Sequence, residues 1–409
     1  VTETAIMATP STKNPKPSCL RQLVPLLIAG LAVGCGAGDS PSGLDGVYRY
    51  DVPEQTGDGW ETGHLSDYGF DLGAVGELIA QIGDATYPNV HGVLIVRDGV
   101  LVLEEYFPGY TAAGAYVDFD RETLHSCYSV TKSVNAALIG IAIDEGLIAG
   151  VDQQISGFLP EYADIFVDPD KDRLRLEDLL TMSAGLEWDE LTYPYADPSN
   201  SHYWLRRSPD PVRYTLEQPV VADPGLEFAY NSGLSLTLGK ILETAVGERP
   251  DHYAEDHLFA PLGISDYSWS LWGDGTTLDT GGGLSLRPRD MAKFGQLYLN
   301  GGRWGEAQVV SEAWVSESVR PHAQYWAYGY QWWRTRLETD MLMYTSYMGI
   351  GWGGQYVFVV PDLDLVVVLT GGNYDESIAY AYDMIEDHVL PSMLTAQSHA
   401  VGSCVATPP

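Results

Sequence analysis

Ser129-Val130-Thr131-Lys132 opens a stretch in which Val130, Val134, Ala137, Leu138 and Ile141 recur at helical spacing. These five residues share one apolar face and predict an amphipathic helix that Gly146 can end. Helical residues three apart lie on one side, so Ser129 and Lys132 project together, away from the apolar face. A serine hydroxyl is a weak nucleophile until a neighbouring base takes its proton. Lysine serves as that base only when neutral, and its free pKa is ~10.4. Partial burial and the positive end of a helix both lower that value. The same helix end offers the backbone N–H of Ser129 to a developing oxyanion. Ser-x-x-Lys is nonetheless a common tetrapeptide, and a serine ahead of a helix is often just an N-cap. Its surroundings decide its meaning.

Upstream, Leu72, Val75, Leu78 and Ile79 predict a helix. Val93–Val96 and Val100–Leu103 then flank Asp98-Gly99, a pair suited to a tight hairpin turn with positive φ. Downstream, residues 175–182 read as a short helix and 187–222 as long loops rich in Tyr, Pro, Asp and Trp. Helices follow at about Leu234–Val246, Pro288–Leu299 and Glu312–Val319. Strands return at Gln355–Val360 and Leu365–Thr370, joined by a turn at Pro361–Asp364, before a last helix near Glu376–Leu390. Strands at both ends of a helical middle predict an α+β fold. One antiparallel sheet flanked by helices is completed by both chain ends, and a mostly helical lobe forms the rest. A cleft between two such lobes is a natural ligand site.

Pro224-Gly225-Leu226-Glu227-Phe228-Ala229-Tyr230-Asn231-Ser232-Gly233 supplies the context that the tetrapeptide lacks. With Ser129 and Lys132 it resembles the serine β-lactamase and penicillin-binding-protein superfamily, in particular its class C and esterase branches. Their second motif is Tyr-x-Asn in a Pro-Gly-x-x-Phe-x-Tyr setting before a helix. The segments Leu176–Leu186, Pro261–Ile264 and Gly281–Ser285 extend the resemblance to roughly residues 75–390. The resemblance implies that Tyr230 is a second catalytic base and acid, a phenol able to ionise beside two cations. Asn is expected at the third motif position, but Ser232 stands there, either as a substrate contact or as a cap of the following helix.

The family's third motif carries Lys or His before Thr or Ser and Gly. Here the matching stretch reads Met348-Gly349-Ile350-Gly351-Trp352-Gly353-Gly354-Gln355, with no Lys or His between Arg336 and Pro361. That cation pairs with the carboxylate of β-lactams and peptidoglycan stems, and a buried anion without it is costly. The Gly-Ile-Gly stretch resembles 6-aminohexanoate-dimer hydrolases and carboxylesterases of this fold. By that resemblance the Trp352 N–H is the second oxyanion donor, and Gly351 lets backbone approach the substrate. Tyr193, Tyr195, Tyr203 and Trp204 are candidates to line the cleft with aromatic surface.

The 409 residues carry 22 Lys+Arg against 56 Asp+Glu, a formal net charge of −34. Such a field repels nucleic acid and anionic membranes. Lys13, Lys16 and Arg21 precede an apolar run from Leu23 to Val33 and then Gly34-Cys35, the pattern of an export signal with a loose lipobox. The expected organisation is a signal over 1–35, a flexible linker over 36–65, a hydrolase domain over 66–395 and a tail over 396–409. Cys35 would tether a periplasmic or cell-surface lipoprotein. Cys127 sits among apolar neighbours and reads as a buried thiol. The nine histidines lack metal-ligand spacing, so neither metal nor cofactor is expected.

These readings converge on a serine hydrolase that cleaves an ester or amide of a small molecule. Ser129 is the nucleophile, Lys132 and Tyr230 move protons, and Ser129 and Trp352 donate to the oxyanion. Ser232, Gly351, Tyr193 and Tyr195 bind substrate. The alternatives are a β-lactamase or D-alanyl-D-alanine carboxypeptidase, and a surface-anchored binding protein that keeps the fold without turnover. The intact Ser129, Lys132 and Tyr230 argue against the last.

Overall fold

Asp98 and Gly99 both adopt positive φ, 52° and 77°. That geometry matches the right-handed twist of the two strands it joins. The hairpin seeds the central sheet in this computed structural model, which describes residues 48–322, 325–340, 342–374 and 380–393. Its strands are β1 (Val90–Arg97) and β2 (Val100–Tyr106). The C-terminal part adds β3 (Trp333–Glu338), β4 (Met343–Gly351), β5 (Gln355–Val360) and β6 (Leu365–Gly371). A two-residue strand, Glu61–Thr62, completes seven in the order Glu61–Thr62, β2, β1, β6, β5, β4, β3. All neighbours are antiparallel except the parallel first pair. The first hairpin and the last strands therefore meet at β1–β6, with Ile95 opposite Val367. The sheet is completed from both ends of the chain, as its sequence predicts.

The helices used below are α1 (Leu72–Gly83), α2 (Val130–Asp144), α3 (Leu176–Leu180), α4 (Ser201–Leu205), α5 (Pro211–Leu216), α6 (Ser232–Val246), α7 (Pro288–Leu299), α8 (Glu312–Val319) and α9 (Tyr380–Met384). Helices α2 and α7 pack on one sheet face, where Val130 approaches Gly349 and Val357 approaches Gly295. On the other face Tyr382 of α9 packs against Tyr356 and Phe358. Helix α6 packs on α2, α3 and α5 and builds the helical lobe.

Four local expectations are corrected. Helix α2 is not one-sided: thirteen residues, from Val130 through Ala142, are buried. Sheet, α6 and α8 surround it, so it is a central helix whose polar residues are buried with the rest. Residues 48–65, placed in the flexible linker, pack on the body. Trp60 is buried and its Nε1 donates to the Arg289 carbonyl (3.2 Å), and the Tyr48 hydroxyl donates to Glu105 (2.7 Å). The 187–222 loops contain α4 and α5, whose N-termini are capped by Asn200 and Asp210. Strands β3 and β4 went unpredicted, because glycines interrupt the alternation of β4 and charges line the edge strand β3. The export signal, Cys35, the first part of the linker, the tail from 396 and the start of the last helix lie outside the described residues.

Candidate active site

The turn into α2 is held in an unusual backbone. Tyr128, a bulky residue, has φ +46°. Such a conformation costs about 1–3 kcal/mol and persists only where the surroundings fix it. Ser129 then occupies the N-cap position, but its side chain makes no capping hydrogen bond. Its hydroxyl instead faces Lys132, with Nζ 2.9 Å from Oγ. Lys132 Nζ also donates to the Gly281 carbonyl at 2.5 Å. The Gly281–Gly283 turn thus anchors the lysine. Only 2% of Lys132 is exposed. Burial draws its pKa down to about 8, against the opposing charges of Glu190 and Asp279.

Tyr230 completes a three-residue cluster. Its ring stacks on Trp333 (5.4 Å between centroids) and its centroid lies 5.2 Å from Lys132 Nζ. Burial, and then the Glu190 charge, push its phenol well above the ordinary value, and the neighbouring Ser129 side chain pulls it slightly down. The easily ionised phenol expected beside two cations is therefore corrected: Tyr230 rests as a neutral hydroxyl. Its segment is pinned by Met182, another residue with positive φ (56°). The Ala229 N–H donates to the Met182 carbonyl (2.8 Å) and the Asn231 N–H to its Sδ (3.4 Å).

The shifted second motif also has a physical reading. Asn231, one place early, caps α6 by accepting from the Leu234 N–H (3.2 Å). Ser232 is therefore free of the capping role. Its Oγ donates to Glu190 Oε1 at 2.5 Å and its N–H to Oε2 at 2.7 Å. Glu190, which sequence reasoning missed, is 3% exposed. It also accepts from Trp188 Nε1 (2.9 Å) and the Tyr195 hydroxyl (3.4 Å). This buried carboxylate is satisfied by its donors and acts electrostatically on both Lys132 and Tyr230.

Trp352 follows β4 and lines the same cleft as Ser129. Among the described residues, neither the Ser129 nor the Trp352 backbone N–H donates to an internal acceptor. Gly351 is required by a close approach within the chain. A Cβ there would sit 2.3 Å from the Cys127 carbonyl and 2.9 Å from the Gln355 side chain. Cys127 itself is buried as expected, and burial pushes its thiol up to about 12. Gly351→Ala is expected to cost about 1–3 kcal/mol through overpacking and to move Trp352 relative to Ser129. A fall in Tm would register it, whereas a Tm equal to wild type would contradict the contact.

The cleft encloses about 400 Å³ and is walled by Ser129, Tyr195, His202, Arg206, Trp272 and Trp352, among others. Tyr193 does not join it: the residue is 43% exposed, while its carbonyl is held by Asn200 Nδ2 (2.7 Å). Tyr203 stacks under Arg207, and Trp204 is exposed. His202 and Arg206, which do line the cleft, had escaped notice. Their four-residue spacing on α4 was the available signal.

Comparison with known proteins identifies the family. The Beta-lactamase family model matches residues 79–382. The chain belongs to the beta-lactamase family. A 6-aminohexanoate-dimer hydrolase of Paenarthrobacter ureafaciens is 30% identical to this family member over 301 residues, covering 67% of this chain and 70% of the relative. A protein described as a D-alanyl-D-alanine carboxypeptidase in Salmonella paratyphi B is 22% identical over 357 residues, covering 72% and 81%. A solved structure described as a 6-aminohexanoate-dimer hydrolase of Bacillus anthracis superposes with a TM-score of 0.61 at 18% identity, covering 90% of this chain and 91% of that one. The beta-lactamase family is hydrolytic and belongs to the serine β-lactamase and penicillin-binding-protein superfamily.

Proposed function

We propose that this beta-lactamase-family protein hydrolyses an ester or a linear amide through an acyl-enzyme on Ser129. The observation that carries the reading is the 2.9 Å approach of a fully buried Lys132 amine to a serine hydroxyl unused in capping. Lys132 takes the Ser129 proton as Oγ bonds to the substrate carbonyl carbon. The resulting oxyanion receives the N–H groups of Ser129 and Trp352. When the tetrahedral intermediate collapses, the leaving oxygen or nitrogen takes the Tyr230 proton, and Lys132 returns one to Tyr230. Water repeats the sequence on the acyl group and frees Ser129. A linear amide is supported by the name of the 30%-identical relative.

The deciding experiment is a hydrolysis screen of p-nitrophenyl esters, linear amides and nitrocefin, with mass mapping of a fluorophosphonate adduct. Ester or amide turnover with the adduct on Ser129 is expected. Nitrocefin turnover alone would favour the β-lactamase reading, and peptide release from D-alanyl-D-alanine termini the carboxypeptidase suggested by the Salmonella relative. A protein that is neither labelled nor active would leave only the binding-protein reading standing.

Because Lys132 works as a neutral amine, kcat/KM is expected to rise with pH through about 8. Glu190 holds that value up, so Glu190→Gln lowers it further and moves the acid limb of the profile to lower pH. Ser232 Oγ can turn to accept from the new amide, which preserves the contact. A limb that stays in place, or moves upward, would remove Glu190 from this role.

A further inference from the structure

Gln331, two residues before β3, is 2% exposed and has φ +59°. A long side chain keeps that backbone only where its surroundings fix it. Here they do so through every polar atom the residue has. Its N–H donates to the Leu180 carbonyl (3.1 Å), and its carbonyl accepts from Ser133 Oγ (2.7 Å). Its side-chain Oε1 accepts from Ser235 Oγ (2.7 Å). Its Nε2 donates to the carbonyls of Leu180 (2.9 Å) and Leu179 (3.2 Å).

These partners reach the three-residue cluster from several sides. Ser133 follows Lys132 on α2. Ser235 lies on α6, five residues after Tyr230. The Ser235 carbonyl accepts from Thr280 Oγ1 (2.9 Å), the neighbour of the Gly281 that anchors Lys132. Leu180 ends α3, two residues before the Met182 that pins the Tyr230 segment. Two residues past Gln331, Trp333 stacks on the Tyr230 ring. Tyr230 is thus gripped by the end of α3, the start of α6 and the start of β3, and the Gln331 carboxamide ties these together. Ser129 and Lys132 share one turn of α2 and meet without it. Losing the carboxamide therefore falls on Tyr230 first.

We infer that Gln331 is a positioning residue: its carboxamide fixes Tyr230 where the phenol can protonate a leaving group. This rests on the hydrolase reading above and adds a residue to it. A merely structural role would weaken every reaction alike. Positioning an acid is selective, because it matters only where the departing group needs a proton. A p-nitrophenolate departs as a stable anion, whereas an alkoxide needs the Tyr230 proton as its bond breaks.

The test compares wild type, Gln331→Met and Ser235→Ala on p-nitrophenyl butyrate and ethyl butyrate. Both esters give the same butyryl-enzyme, so kcat/KM compares their acylation steps alone. Methionine keeps the length and the backbone contacts of Gln331 but not the carboxamide. Ser235→Ala removes one bond of the same set and decides the matter if Gln331→Met does not fold. In Gln331→Met, kcat/KM for the ethyl ester is expected to fall at least about tenfold more than for the p-nitrophenyl ester. Ser235→Ala should show the same selectivity at smaller size. The rate of fluorophosphonate labelling at Ser129 should stay within about threefold of wild type in both variants, since fluoride leaves without the phenol. Equal losses on the two esters, or no loss in either folded variant, would overturn the inference. So would a wild-type chain that turns over the p-nitrophenyl ester alone. In each of these cases wild-type turnover and Ser129 labelling still uphold the hydrolase reading. A wild-type chain that is unlabelled and inert toward both esters would sink that reading and this inference with it.

Discussion

Ser129→Ala is expected to reduce kcat/KM for any hydrolysed ester or amide by at least about 10⁴-fold, and to abolish fluorophosphonate labelling. The size follows from what remains. Oxyanion donors and cleft walls persist, so substrate still binds and background catalysis survives. The covalent route, however, loses the hydroxyl that faces the Lys132 amine. Folding should be untouched, because the Ser129 hydroxyl caps nothing and its loss leaves Lys132 bonded to the Gly281 carbonyl. Circular dichroism and Tm measured beside the kinetics separate this outcome from misfolding. Turnover within tenfold of wild type would place the chemistry on another residue.

Lys132→Met carries the second large effect, and it should separate activity from stability. Methionine matches the lysine stem in length but has no base, so kcat/KM should fall by about 10³–10⁴-fold. The stability change has two opposing parts. Depressing the amine from 10.5 to about 8 reflects a burial cost of about 3 kcal/mol for the charged form, which methionine removes. The Gly281 carbonyl then loses its donor, at about 1–3 kcal/mol. The first slightly exceeds the second at neutral pH, so Tm should be unchanged or higher. The sign check agrees: the folded chain prefers neutral Lys132, so the penalty is full below about pH 8 and fades as pH rises toward the free value near 10.5. The variant should lose that pH dependence. An inactive variant that also melts far lower would mean that Lys132 is structural, contrary to this assignment.

What was legible in the sequence was what depends on local order. Asp98-Gly99 fixes its hairpin through two positive φ angles, and α7 and α8 begin and end where their apolar periods do. Ser129 and Lys132 share a helix turn, so their meeting needed no tertiary information, and the motif around Tyr230 was readable from its neighbours. Glu190 was not, and His202 and Arg206 offered only their four-residue spacing, because each is a polar residue whose place depends on α4 packing on α6 and α6 on α2. Trp272 depends in the same way on a distant turn. Gly351 reads in the sequence as a place where backbone nears the substrate, whereas its approach to the Cys127 carbonyl is set by how β4 crosses the start of α2. The burial of α2 on every side also lay beyond its own period, since that depends on what surrounds it.

The β1–β6 seam has a consequence for how the chain reaches this state. Its partners Ile95 and Val367 are 272 residues apart (367 − 95), so the central sheet has very high contact order and closes late. A nascent chain displaying β1 and β2 must hold an unpaired β1 edge until almost all the remaining sequence has been made. During that interval the edge is open to association with other chains. Refolding yield should therefore depend on protein concentration more than native stability alone would suggest.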